Sequence, residues 1–319
     1  MTTSGTYAVS VNSVGIIRQA MLNIGELDED EDPSPRQYQD SLAVLNMMVS
    51  QWMGKTDFAP GLKVWTRKRG NVFLSTAANS YQLSAFNTTG WTNSFVKNVT
   101  SQTSAQGTSS LTLVSTAGIH TGDYLGYVGS DGQLYWTTVA SAAGNPITTA
   151  APLTVLVAAG ANVYTYTTPA QYPVTLETAL LRDDFGNDTP LKIMQVQAYD
   201  MLPSKANPTY SGDPTAIYFE TNLGYTTVYT DVAVAQDVTK YLVLTYMEPV
   251  QKFINPNDTP YYPEEWYLAL TWGLSEQICP MFKKKWTDKM EQLKNTALAI
   301  ARNKDGEVSV LYFQPGAED

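Results

Sequence analysis

Apolar residues recur with a helical period near both ends of the chain and with strand-like spacing between them. Near the start, Val14, Ile17, Met21 and Ile24 follow one another at intervals of three, four and three residues, and Gly25 comes next. This spacing lines one face of a helix, and a glycine after the last apolar position is a typical helix end. The pattern therefore predicts a first helix that stops at Gly25.

A second helix has a clear start signal. Ser34 is a good N-cap, Pro35 suits the first helical position, and Gln37 completes a capping box. The apolar positions that follow keep the helical spacing until Gly54, and they are Tyr38, Leu42, Leu45, Val49 and Trp52. Two such helices joined by a short loop predict an antiparallel hairpin.

Two more helices are predicted near the other end of the chain. Pro263 with acidic residues directly after it indicates the start of a third helix, which Pro280 ends. A fourth helix is expected to stop near Asn303–Gly306. The apolar face of the third is predicted to be Trp266, Leu270, Leu274 and Ile278. That of the fourth is predicted to be Met290, Leu293, Ala297 and Ile300.

Short strands separated by turn residues are predicted between these helices. Residues 91–167 are rich in Ser, Thr, Gly and Ala and almost uncharged, with five or six strands at roughly regular spacing. Such spacing favours a small barrel or sandwich inserted into the surrounding strands. Residues 249–263, rich in Pro and Asn, are predicted to be a linker.

These elements together predict an α+β fold. A four-helix body would be built from both chain ends, as residues 1–65 and 256–306. A large antiparallel β region would occupy residues 66–255 and would contain the inserted β-barrel or sandwich domain at about 91–167. Residues 307–319 would form an extended C-terminal tail.

Charge is sparse, and its balance is acidic. Charged residues make up 16% of the 319-residue chain, below the roughly 25% of an average soluble domain. This suits either an extracellular β-protein or a subunit that buries much of its surface in an assembly. The net charge of −10 disfavours tight DNA binding, but it is compatible with a surface past which DNA slides.

The sequence offers little for catalysis or for a cofactor. The lone Cys279 excludes an intrachain disulfide and a multi-cysteine metal site, and its place on a predicted apolar helix face favours a buried, inert thiol. His120 is the only histidine, and the chain has neither a nucleophile-elbow motif nor a phosphate-binding loop. We therefore expect no enzyme activity, cofactor or metal. No leader or membrane-length apolar stretch is present, so no membrane partner is expected.

An acidic run separates the first two helices. Asp28, Asp30 and Asp32 have the spacing of a calcium loop, but Pro33 and Gln39 replace the glycine and glutamate that such a loop needs. A solvated loop near a helix N-terminus is favoured. In a ring its carboxylates could line a channel, and the candidates are Glu26, Asp28, Glu29, Asp30, Glu31 and Asp32.

Two basic clusters and an apolar tail are candidate docking elements. The clusters fit either solvated charge or docking onto an acidic neighbour, and they are Arg67, Lys68 and Arg69, and Lys283, Lys284 and Lys285. The tail carries an apolar run with high β propensity, which would promote aggregation if it were left exposed. Strand addition to another chain is favoured over pairing with its own sheet. Its candidate residues are Val308, Val310, Leu311, Tyr312 and Phe313.

Three stretches resemble one protein family. The first is residues 16–25 (IIRQAMLNIG), followed by a Pro-Ser-Pro turn and residues 43–52 (AVLNMMVSQW). The second is residues 211–218 (SGDPTAIY), which run into predicted strands. The third is residues 262–266 (YPEEW), which lead into the third helix. Together they resemble the head-to-tail adaptor proteins of short-tailed bacteriophages, also called head-completion or packaged-DNA-stabilising proteins.

The resemblance implies a structural protein of the virion, made in the host cytoplasm and placed at the head–tail junction. Such proteins form a ring of twelve copies under the portal protein and join it to the tail nozzle or tube protein. The helical body forms the ring wall, the C-terminal segment reaches the portal, and DNA passes through. Residues 91–167 are extra relative to the shortest family members. The alternative is a fibre or baseplate component that binds carbohydrate or a host surface through this Tyr-, Trp- and Thr-rich insert.

Overall fold

The computed structural model describes residues 11–54, 64–86, 89–205, 207–235 and 239–304. Contacts within the chain group it into two compact units. The first unit combines Met1–Thr66 with Val250–Asp319, and the second is Arg67–Pro249. Each unit has hydrophobic clusters of its own.

The described helices of the first unit come from both ends of the chain. They are α1 (Ser13–Asn23), α2 (Pro35–Trp52), α4 (Tyr267–Ile278) and α5 (Asp288–Lys304), while α3 (Val196–Asp200) belongs to the second unit. The capping box at the start of α2 is confirmed. Ser34 Oγ accepts from the backbone N–H of Gln37 at 3.3 Å, and Gln37 Oε1 accepts from the N–H of Ser34 at 2.9 Å.

Helix α4 is the most buried helix of the first unit. Its predicted apolar face, from Trp266 to Ile278, is confirmed as fully buried. A Cβ added at Gly273 would lie 2.7 Å from the Trp52 ring, so the glycine lets α2 approach closely. On another side, Ser275 Oγ donates to the carbonyl of Ala20 in α1 at 3.1 Å. These short side chains let both neighbouring helices pack directly against α4.

The predicted linker at 249–263 belongs to this core, so that prediction is wrong. Val250, Phe253 and Tyr262 are buried in the same cluster as the helices. The Asn46 side chain accepts from the N–H of Phe253 at 2.9 Å and donates to its carbonyl at 2.8 Å. An asparagine amide can thus satisfy both backbone groups of an irregular segment, which allows the segment to be buried.

Helix α5 faces the core with only part of the predicted side. The predicted Ala297 is buried, together with Ala301, whereas the predicted Leu293 and Ile300 are 42% and 52% exposed. The side chain of Lys294 is only 12% exposed, because its ammonium lies 2.7 Å from a carboxylate oxygen of Glu276 and 2.7 Å from one of Glu291. A lysine can turn inward when its charge is paired in this way.

The larger sheet of the second unit has eight described strands. Its order is β2-β13-β12-β11-β10-β14-β1-β3, with every neighbouring pair antiparallel except β11 and β12. The strands are β1 (Arg67–Phe73), β2 (Ser80–Leu83), β3 (Trp91–Thr92), β10 (Thr175–Arg182), β11 (Asp188–Met194), β12 (Ala216–Asn222), β13 (Tyr225–Thr230) and β14 (Tyr241–Met247).

The smaller sheet has six described strands, all antiparallel, in the order β4-β9-β6-β7-β8-β5. They are β4 (Val96–Val99), β5 (Ser110–Leu111), β6 (Tyr124–Val128), β7 (Leu134–Ser141), β8 (Ile147–Thr149) and β9 (Asn162–Tyr166). One of the two sheets curves into a nearly closed barrel, and the other into a half-barrel.

The expected fold class, α+β with a four-helix body, is wrong. The described chain is mostly β, with two large sheets and only five short helices. The helices of the first unit do not enclose a core by themselves. Trp65 and the extended segment around Phe253 complete it, and the Trp65 indole N–H donates to the carbonyl of Tyr261 at 3.0 Å.

Candidate docking surfaces

The structure brings the acidic run together with one residue of the second basic cluster. Lys284 Nζ donates to the carbonyl of Gly25 at 2.7 Å and lies 3.3 Å from Glu26 Oε2. The other oxygen of Glu26 accepts from the Gln37 side-chain amide at 3.2 Å. Glu26 and Lys284 therefore hold the two halves of the first unit together, and their charges are already engaged within the chain.

The rest of the acidic run folds around Arg18 of α1. The Arg18 guanidinium donates to the carbonyls of Glu29 and Glu31, the latter at 3.1 Å, and lies 3.1 Å from Asp32 Oδ1. The side chains from Asp28 to Glu31 are exposed. Among the residues that the structure describes, no group of three or more acidic, His or Cys side chains could hold a metal ion. The loop therefore has a fixed backbone and presents its carboxylates outward.

Lys283 and Lys285 remain exposed on either side of Lys284. Lys283 has a φ of 55°, in the left-handed region that glycine or asparagine more often occupies at a helix end. Because Lys284 between them contacts the acidic loop, these two positive charges lie at the same end of the first unit as the loop carboxylates. This end of the unit therefore displays charges of both signs.

The three residues of the first basic cluster all lie in β1 (Arg67–Phe73), but their contacts differ. Arg67 in β1 makes a bidentate contact with Glu177 in β10, at 2.7 and 3.1 Å, and Lys68 lies 3.8 Å from Glu248. Only Arg69 of the three is exposed. Arg182 hydrogen bonds lower the pKa of Asp188, and the nearby charge of Arg69 adds to this effect. Arg67 and Lys68 thus bind within the second unit, which leaves Arg69 as the candidate for an outside contact.

The predicted tail candidates, from Val308 to Phe313, lie outside the described residues. The sequence pattern missed a different set of apolar side chains on the helices of the first unit. Leu268 in α4, Leu293 and Ile300 in α5, and Met47 in α2 are all exposed. For α5 the only sequence signal that a charged residue could face the interior was the spacing of Lys294 from Glu291. This spacing permits an ion pair along the helix.

The aromatic residues of the insert, which motivated the carbohydrate alternative, pack inside the second unit. The Phe73 ring centroid lies 4.7 Å from that of Tyr164, 5.0 Å from Phe95 and 5.4 Å from Trp136. Tyr166 accepts from the N–H of Gly90 at 2.9 Å, and burial raises its pKa to about 12. These rings join the two sheets of the unit, so their faces are engaged in packing.

Comparisons with known proteins give no family for this chain. No protein-family model matches it, and no curated protein matches it in sequence. Within the described part of the chain, no helix combines the length and apolar character needed to cross a membrane.

Proposed function

We propose that this chain is a structural subunit of a ring-shaped head-to-tail adaptor in a short-tailed phage virion. In this role it docks under the portal protein, attaches the tail nozzle or tube protein, and lets DNA pass without sequence-specific binding. It performs no catalysis. The three stretches that resemble the adaptor family and the sparse charge of the sequence support this proposal.

The outer flank of α5 is the observation that supports it best. Leu293 and Ile300 are seven residues apart and therefore lie on one side of the helix, both substantially exposed, while the charged Lys294 is turned inward. Removing apolar surface from water is favourable in free energy, so a partner that covers this flank gains binding energy. Lys289, four residues before Leu293, places one exposed positive charge at the end of this flank, and a second copy of this acidic chain can cover both. Repeated around a closed ring, even a weak contact of this kind becomes firm.

The charge distribution fits passage of DNA. The net charge is −10, and the acidic loop presents Asp28 to Glu31 to solvent on a backbone fixed by Arg18. A duplex carries one negative charge per ~1.7 Å of its length, so such carboxylates would repel it and prevent adhesion. In this proposal the acidic loop faces the channel of the ring.

The test measures native mass after mixing the full chain with isolated portal rings of the same virion. We expect a stoichiometric ring of copies on the portal. The double variant Leu293→Asp/Ile300→Asp should weaken its formation at least about tenfold, because each copy loses its apolar contact with the next. The matched control, Gln292→Asp/Asn303→Asp, adds the same charge on the polar side of α5 and should assemble normally. A wild-type chain that does not bind portal rings would refute the proposal.

A further inference from the structure

A groove runs along the other flank of α5 in the first unit. Its volume is about 560 Å³, and α2, α4 and α5 form its walls. Met48, Trp52 and Leu298 supply its apolar surface. Met48 is buried, and the other two side chains are half-buried, so the groove holds apolar area that is only partly covered.

The charged lining of the groove is balanced but unevenly placed. Lys294 is held between Glu276 and Glu291, so these three groups satisfy one another. Arg302 lies at the end near the C-terminus of α5 and is exposed. Within the described residues, Arg302 makes no ion pair. Along α5 the groove thus runs from the positive charge of Arg302, past the apolar side chain of Leu298, to the neutralised cluster around Lys294.

The chain itself continues from that positive end. Helix α5 ends at Lys304, two residues past Arg302, and fifteen residues follow as 305–319. This segment contains no Lys, Arg or His, and its apolar run from Val308 to Phe313 is preceded by Asp305 and Glu307. Gly306 stands where a helix commonly ends in a left-handed turn that reverses the chain. Acidic residues therefore come first along the segment, three and five positions after Arg302 in the sequence, and apolar residues follow.

The lengths also agree. From Arg302 back to Glu291 the groove follows eleven residues of helix, which is about 16 Å at 1.5 Å per residue. Residues 307–313 in extended form span up to ~23 Å. A segment that turns back at Gly306 can therefore reach the whole groove.

We propose that residues 307–313 of the same chain dock into this groove. Glu307 pairs with Arg302, and side chains of the apolar run cover Trp52 and Leu298. The covalent connection favours the chain's own segment over that of a second copy, because a short tether supplies an effective concentration in the millimolar range. This inference goes beyond the adaptor proposal. It means that an external partner of the segment, whatever its identity, has to compete with the groove.

The first experiment compares backbone amide exchange in the isolated full chain and in its Leu311→Asp/Phe313→Asp variant. If the segment occupies the groove, exchange over residues 45–52 and 291–302 should be at least tenfold faster in the variant. The control Ser309→Asp/Gln314→Asp places the same charges at polar positions of the same segment and should change exchange less than twofold. Equal exchange in the wild-type chain and the apolar-to-Asp variant would overturn the proposal.

The second experiment adds a synthetic peptide of residues 305–319. It should bind the Leu311→Asp/Phe313→Asp chain and restore slow exchange there, and it should not bind the wild-type chain, whose groove is filled. Equal binding to both chains would overturn the proposal. Protection in the wild-type chain should be constant over a hundredfold range of protein concentration, and a rise with concentration would overturn docking of the chain's own segment. Both measurements use the isolated chain, so failure of portal binding would leave their outcome unchanged.

Discussion

The two units expose their large apolar side chains in different places. In the second unit most of them lie outside helices, as with Phe185 between β10 and β11 and Leu223 between β12 and β13, and Val196 in α3 is an exception. In the first unit most of them lie on helices, as with Leu268, Leu293 and Ile300, and Ile254 and Met281 are exceptions. Single exposed apolar residues at turns are common on any protein surface. Apolar residues repeated along one flank of a helix form a surface that a partner can cover.

The interiors differ in a related way. The two sheets of the second unit meet through aromatic rings around Phe73 and Tyr164. The first unit instead turns a paired lysine towards its interior and leaves leucine and isoleucine outside. We conclude that the first unit retains an apolar helix flank as a surface for association.

The largest effect is expected from Leu274→Ala in α4. Leu274 is fully buried in the first unit, so its truncation leaves a cavity and should lower the free energy of unfolding by about 3 kcal/mol. Leu268→Ala removes the same atoms from an exposed position of the same helix and should cost less than about 0.5 kcal/mol. Urea denaturation followed by tryptophan fluorescence measures both. Similar losses in the two variants would mean that Leu268 is not a surface residue.

An intermediate effect is expected from Gly70→Ala in β1 of the second unit. The added Cβ would lie 2.1 Å from the Trp91 ring, which is fully buried and donates to the carbonyl of Gln171 at 3.1 Å. Because the ring cannot move freely, the overpacked variant should lose about 1–3 kcal/mol of stability. Gly144→Ala is the matched control, since nothing lies within 4 Å of its added Cβ. Thermal unfolding measures the stability of both variants. A loss in Gly70→Ala alone would come from close packing, and an equal loss in Gly144→Ala would come from replacing glycine in general.

The smallest effect is a pH dependence in the first unit. Hydrogen bonds from Lys294 and then Trp286 lower the pKa of Glu291 from its ordinary value of 4.5. A carboxylate with a lowered folded-state pKa stabilises the fold above that ordinary value, and this contribution is lost as the pH falls through the folded-state pKa. Lys294→Met should therefore flatten the acid limb of the stability curve below about pH 4.5. An unchanged limb would mean that Lys294 does not set the protonation of Glu291.

Local signals in the sequence were enough to predict particular helices. The capping box of Ser34 and Gln37 and the buried face of α4 are present as predicted, because both depend on residues close together in the chain. The face of α5 was predicted correctly at Ala297 but wrongly at Leu293 and Ile300, because Lys294 is neutralised in part by Glu276, which lies on another helix. The strand β3, with only two residues, has no periodicity from which it could be identified.

The candidate surfaces were predictable only in part. The run of carboxylates from Glu26 to Asp32 is evident in the sequence, and most of its side chains are indeed exposed. Its contact with Lys284 joins residues more than 250 positions apart, and no local pattern reveals such a contact. The wrong fold class was also predicted because the helical periodicity at the two ends was the strongest pattern in the sequence. That pattern does not show how much of the core of the first unit Trp65 and Phe253 supply.

The way in which Arg18 holds the acidic loop separates the shape of that loop from its charge. The guanidinium binds the carbonyl oxygens of Glu29 and Glu31, which every amino acid possesses. The Glu31 carboxylate also accepts from the N–H of Asp28 at 3.3 Å, whereas the side chains of Asp28, Glu29 and Asp30 are exposed. Residues 28–30 can therefore be exchanged for neutral or basic ones with the backbone path retained. The loop is a position where the surface potential of the protein can be reset, by evolution or in the laboratory, without refolding the unit that carries it.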